Sequence, residues 1–261
     1  MANTAALARP ASAAAGTRVS TTGRLFISVM LLLIFEGAIR KWVSDASTLP
    51  LILLRDLLAS YTVVRALTHG HFPRQRHLAQ VMLGWSACKL CWGLLQLTLG
   101  ESNFAVFLLG LRFWLLYFWF ALAAAAGMNE RDYVAALRTL LAALLLMAPL
   151  AVIQRNSPPG ALINKSLEGD EADIFVVIAG VVRTTGTFSF TAGFSLFIHV
   201  CAPFALGAFE ARKRKTSQRI ATLAIFAALV VCTLVSGARG AFIYTGAMFA
   251  LFLLGNLLFA P

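Results

Sequence analysis

The chain has 261 residues, of which 59% are hydrophobic and only 13% charged, with a formal net charge of +11. Soluble domains carry about a quarter charged residues, and a soluble core has no room for this much apolar surface, whereas a bilayer does. The basic excess is what loop charges and anionic headgroups produce in a membrane protein, and no aromatic-and-basic motif points to nucleic acid.

Residues 1–23 are rich in Ala, Ser and Thr and carry Arg9 and Arg18, a composition that reads as a disordered basic cytoplasmic tail. Arg24 opens the first apolar run. That run leads into E-G-A-I-R-K-W from Glu36, not into a small-residue cleavage site, so it reads as an uncleaved first helix. Apolar stretches of about 20 residues then recur, and the sequence predicts helices over 25–42, 49–67, 78–99, 104–126, 133–153, 191–210, 218–236 and 241–260. The run 174–182 is too short to span and reads as re-entrant or interfacial. The expected fold is all-α: one polytopic transmembrane bundle of about eight spans over 24–261, without an internal repeat or a second domain.

Loop charges orient it. Arg65, Arg74, Arg76, Arg131 and the R-K-R-K run from Arg212 to Lys215 fall on the side of the N-terminus, and fewer basic residues fall on the other. This predicts N-in/C-in. Cys88, Cys91, Cys201 and Cys232 all lie in predicted spans, which argues against a disulfide framework. The C-x-x-C of Cys88 and Cys91 lacks the second ligand pair of a zinc site, so these read as packing residues.

The stretch from Gln154 to Phe190 is the long polar interruption. Pro158, Pro159 and Gly160 forbid a regular helix there. Irregular backbone is not tolerated in hydrocarbon, so the loop at about 154–190 must lie in water or line a cavity. A loop of this length between packed helices is often functional. Its acidic group, Glu168, Asp170, Glu171 and Asp173, reads as a solvated loop face, with cation binding or acid–base chemistry as the sharper alternative.

Glu36, Arg55, Asp56, Lys89 and Arg112 fall inside predicted spans. Each costs roughly 2.5–3.5 kcal/mol at mid-bilayer on insertion scales and so needs a partner or a purpose. Glu36 and Arg40 have favourable i, i+4 spacing, and Asp56 is placed to meet Arg112 or Lys89. Ion pairs between helices are one reading. Counted with Arg40 and Lys41, however, the bases outnumber the acids, and the surplus suggests an outward-facing basic cavity suited to a phosphate or pyrophosphate. Arg183 opens R-T-T-G-T-F-S-F, in which Gly186 lets the backbone turn. Arg239 sits in S-G-A-R-G, read as a tight turn between helices seven and eight. His199, in mid-span, reads as a buried and satisfied histidine, with a proton-transfer role as the alternative.

Arg183, Gly186 and Phe188, followed by Ser236, Gly237, Arg239 and Gly240, resemble the bacterial O-antigen ligase and polymerase superfamily. The segments Glu36 to Trp42 and Leu53 to Leu58 look like its exopolysaccharide-polymerase branch. The resemblance implies a multi-pass inner-membrane glycosyltransferase that transfers a glycan from a polyprenyl-pyrophosphate-linked oligosaccharide on the periplasmic face. It requires no metal and no cofactor, and membrane lipids and other polysaccharide-assembly proteins are its expected neighbours. By motif match, Arg183 and Arg239 would hold the pyrophosphate. Arg112, Arg55 and Arg40 would assist, with Glu36, Asp56, Lys89, Gly186, Ser236 and Gly240 in support. Members of that family are usually longer, with a large periplasmic loop that carries a histidine in the ligases, so a truncated member is expected here. The residues assign no general base. The competing readings are a transporter or flippase for an anionic or lipid-linked substrate, and a non-catalytic membrane fragment.

Overall fold

The computed structural model describes residues 18–165, 177–178, 181–210 and 215–259. The first 17 residues, the acidic group Glu168 to Asp173 and Arg212 to Arg214 lie outside the described residues. Eight helices are long and apolar enough to cross a membrane. They are α1 (Thr21–Trp42), α2 (Thr48–Thr68), α3 (Arg76–Thr98), α4 (Phe104–Gly127), α5 (Glu130–Asn156), α6 (Thr191–Glu210), α7 (Thr216–Val235) and α8 (Arg239–Phe259). The fold is all-α and polytopic, and each helix falls within a few residues of its expected position. Short links join α1 to α5 and also α7 to α8, so successive helices run antiparallel. The polar loop and the C-terminal end of α1 therefore share one end of the bundle, here the loop end, with the start of α6 and the α7–α8 turn.

One boundary differs from the sequence reading. Residues 20–23 are not tail. Ser20 caps α1 through its side chain, which accepts from the Gly23 N–H, and its own N–H and hydroxyl donate to buried Asp132 at 2.8 and 2.5 Å. A Cβ on Gly23 would collide with that carboxylate, so glycine is what lets α1 seat against the start of α5. The described part of 174–182, read as too short to span, is extended. Val177–Ile178 (β1) pairs antiparallel with Val181–Val182 (β2), which satisfies some backbone without a helix.

The main core is built from α5, α6 and α7, with Ile34 of α1 and Ala241 of α8. Its fully buried members include Leu144, Met147, Phe194, Ile198 and Leu229. A smaller cluster, Val29, Ala59 and Phe120, ties α1, α2 and α4. Among the described residues α3 buries none of its side chains. It is the least covered helix of the bundle. Cys201 and Cys232 are buried and Cys88 and Cys91 exposed, all four as free thiols.

The loop is held from below. Gln154, fully buried at the end of α5, grips both polar groups of Gly186. Its Oε1 accepts from the Gly186 N–H at 2.8 Å, and its Nε2 donates to the Gly186 carbonyl at 3.0 Å. Lys41, 2% exposed, donates from Nζ to the same carbonyl at 3.0 Å and to Thr185 Oγ1 at 2.8 Å. Gly186 has φ +56°, a conformation L side chains rarely adopt. Asn164 Nδ2 donates to the Gln154, Ser157 and Pro158 carbonyls at 3.0, 3.2 and 3.0 Å, folding the Pro-Pro-Gly segment back on α5. A Gln154→Leu substitution strips the Gly186 N–H of its partner, and an orphaned buried group costs about 1–3 kcal/mol. The expected result is a drop of several degrees in the unfolding temperature of the detergent-solubilised protein, read by tryptophan fluorescence.

Candidate functional site

At the loop end, the last turn of α5, the strand-to-helix segment at 183–190, the first turns of α6 and α8 and the α7–α8 turn enclose a cleft of about 550 Å³. Arg155, Arg183 and Arg239 line it with Thr191, Ser195, Gly237 and Gly240, and among the described residues no acidic one does. Arg183 follows β2. The buried N–H at its Nε has no partner among the described residues. Arg155 ends α5 and makes one long hydrogen bond from Nη1 to the Val235 carbonyl at 3.4 Å.

The α7–α8 junction differs from the sequence reading in a way that matters. Arg239 is not in the turn; it is the first residue of α8. Gly237 alone makes the reversal, at φ +66°, the left-handed conformation that commonly follows a helix C-terminus. Arg183 packs directly against it: a Cβ on Gly237 would lie 3.2 Å from Arg183 Cγ. Buried Ser236 steadies the turn, donating to the Thr233 carbonyl at 2.9 Å and accepting from the Ala238 N–H at 3.2 Å. Thr191 and Ala192 open α6 as Arg239 and Gly240 open α8, and all four line the cleft. The first-turn N–H groups of a helix have no intrahelical acceptor, and the helix dipole favours negative charge there. Three guanidinium groups and two helix N-termini therefore face one space, which is chemically an anion site.

Leu234 also lines an apolar groove of about 200 Å³ between α7 and α8, walled by Phe226, Leu229, Val230, Phe242 and Phe249. Cation and hydrocarbon surface thus adjoin, as an amphipathic anion requires.

The other expected site residues are not in the cleft. Arg40, Arg55 and Arg112 belong to a separate network with Glu36 and Asp56 between α1, α2 and α4. Glu36 pairs with Arg55 and, at 3.5 Å, with Arg40. Asp56 pairs with Arg112 and accepts from the Tyr117 hydroxyl at 2.5 Å. Arg55 Nε donates to that same hydroxyl at 2.6 Å. A π-helical stretch, Arg112–Leu116, adds a residue to the turn that carries Arg112. The single outward basic cavity expected from the charge surplus is therefore not formed: the carboxylates occupy these three arginines, Lys41 is committed to the loop clamp, and Lys89 lies elsewhere. Lys89 sits over the rings of Trp85 and Trp114, 4.5 and 4.2 Å from their centroids. His199 is not satisfied as expected. Its Nε2 is buried without a partner among the described residues, and its ring lies 4.4 Å from that of Tyr244.

Sequence reasoning singled out Arg183, Gly237, Arg239 and Gly240, which line the cleft, and Gly186, which does not. It missed Arg155, counted only as a loop charge, and Tyr117, whose hydroxyl links Arg55 to Asp56. The signal for Arg155 was its position one residue after Gln154, at the mouth of the same loop. Glu36 holds two arginines in a largely buried setting, and removing one partner of such a network strands the others at a cost of roughly 3–5 kcal/mol. Glu36→Gln is therefore expected to lower thermal stability in detergent more than Gln154→Leu does. No family model matches the chain, and comparison with curated proteins and with solved structures finds no match.

Proposed function

We propose that this chain is an inner-membrane glycosyltransferase of the polysaccharide polymerase or ligase type, acting on a polyprenyl-pyrophosphate-linked glycan at the periplasmic face, where the loop end of the bundle lies. The observation that carries this reading is the cleft of Arg155, Arg183 and Arg239, without acidic lining among the described residues and sharing Leu234 with an apolar groove. A pyrophosphate fits the cationic part and an isoprenoid tail the apolar part.

In the transfer, an acceptor hydroxyl oxygen bonds to the anomeric carbon as the bond from that carbon to the pyrophosphate oxygen breaks, the electron pair leaves with the pyrophosphate, and the hydroxyl proton passes to water or to the departing pyrophosphate. Negative charge grows on the leaving group. Fixed guanidinium groups and helix N-termini stabilise that charge without reorganising at the moment of reaction. Arg183 is the best placed. Its guanidinium lines the cleft, and its stem is packed against Gly237, which limits its freedom before an anion enters. A bidentate fork suits a phosphate oxygen pair better than an ammonium does.

A flippase for the same lipid-linked glycan would use a similar head-and-tail pocket. Transporter sites, however, are typically built from broken helices at the membrane midplane, whereas the helix N-termini here meet at the end of the bundle. The test is complementation of a strain lacking the gene, with polymer length read on gels and protein amount by immunoblot. Arg183→Ala and Arg239→Ala should each lower transfer by about 100-fold or more, the loss typical of one fixed electrostatic donor. Arg183→Lys should recover part of it. Full-length polymer from both alanine variants would sink the assignment.

A further inference from the structure

Lys89 is the cation that the proposed function leaves unexplained. It lies nine residues before the end of α3, so about 14 Å below the loop end at a rise of ~1.5 Å per residue, close to the middle of a hydrocarbon layer about 30 Å thick. Side chains on a helix lean toward its N-terminus, and Lys89 accordingly meets Trp85 one turn back. This takes the ammonium deeper still, away from the headgroups at the loop end. The other basic side chains near that depth are answered from within the chain: Arg55 and Arg112 by carboxylates, and Lys41, nearer the loop end, by Thr185 and the Gly186 carbonyl. Among the described residues Lys89 has only two indole faces. These soften its charge but accept no hydrogen bond of ordinary strength from its three N–H donors.

Beside it is an open groove of about 360 Å³, walled by Trp92, Gly93 and Gln96 of α3 and by Phe107 and Trp114 of α4. That is about twice the ~150 Å³ that accommodates a benzene-sized guest. The α3 helix is also the one with no buried residue. We infer that this groove is the docking face for a transmembrane helix of another protein, one that carries a single aspartate or glutamate at the depth of Lys89. Charge complementarity selects the occupant. A lipid phosphate stays at the surface, well above the ammonium. A second copy of this chain brings no suitable acid, because its carboxylates inside the spans near this depth, Glu36 and Asp56, are already ion-paired. A partner helix supplies a carboxylate where an intramembrane lysine requires one and covers the exposed indoles of Trp92 and Trp114. The inference does not depend on the transfer reaction.

The test uses the full chain in its native membranes, with Trp92 replaced by photo-reactive benzoylphenylalanine and the adducts identified by mass spectrometry. The expected adduct is a protein cross-linked through a transmembrane segment that contains one Asp or Glu. Lys89→Glu should reduce its yield at least tenfold, and changing the partner's acid to lysine should restore it. Adducts to lipid alone, an adduct to a second copy of this chain, or an adduct undiminished by Lys89→Glu would each overturn the proposal. Lys89→Met provides a readout on the isolated chain. If the charge awaits a partner, the variant unfolds at a higher temperature in detergent than the parent chain. If the indole contacts are the lysine's whole purpose, it unfolds at a lower one, and the proposal fails.

Discussion

Two side chains meet at the Gly186 carbonyl, and the working end of the molecule hangs on that meeting. Gln154 comes up from α5 and Lys41 from α1, and between them they saturate the backbone of a residue held at positive φ. The constraint behind this is general: backbone that leaves helical geometry and is buried from water must find its hydrogen bonds inside the protein. Once Gly186 is fixed, the segment from Arg183 to Ser189 has little freedom. Arg183 falls against Gly237, Thr187 donates to the Ile34 carbonyl of α1, and Phe188 packs near Phe194 and Phe197. The clamp thereby sets the position of the guanidinium that faces the cleft and the angle at which α6 begins.

The charges inside the bundle sort by what surrounds them. Between α1, α2 and α4, two carboxylates and a tyrosine hydroxyl meet three arginines, and the result is a cross-brace with little left over. At the junction of α5 to α8 the arginines meet helix N-termini and glycines and, among the described residues, nothing negative. The first arrangement satisfies itself and so stiffens the bundle. The second leaves positive potential unspent in a space open to a ligand. Both arise from the same residue type, and the difference lies wholly in which neighbours the fold supplies. Glycine matters at one further place in this division, Gly37, where a side chain would strike the backbone of Thr187 and Phe188. The close approach of α1 to the loop depends on having none.

The α3 helix stands apart from this scheme. It shares the hydrophobicity of its neighbours but not their burial, and its lysine is cushioned by tryptophan rather than neutralised. A helix of that kind at the margin of a bundle is a surface awaiting cover, either by lipid or by another helix.

Membrane class, helix number and helix limits were legible in the chain, because the bilayer imposes a length and a polarity that each segment must meet alone, before any packing. The prominence of Arg183, Gly186, Arg239 and Gly240 was legible too, since glycine beside arginine in an apolar context has few explanations. The division of the arginines was not. Glu36 to Arg40 is a local i, i+4 pair, and Arg112 was one of the two partners foreseen for Asp56, but Arg55 with Tyr117 and Lys41 with Thr185 join residues 62 and 144 positions apart, and no periodicity reports such distances. Nor was the role of Arg155, whose placement depends on the loop folding back over α5. Sequence by itself determined which segments cross the membrane, because burial in lipid is a property of each segment. Tertiary structure alone decided which charges are neutralised and which remain available, because neutralisation is a property of pairs.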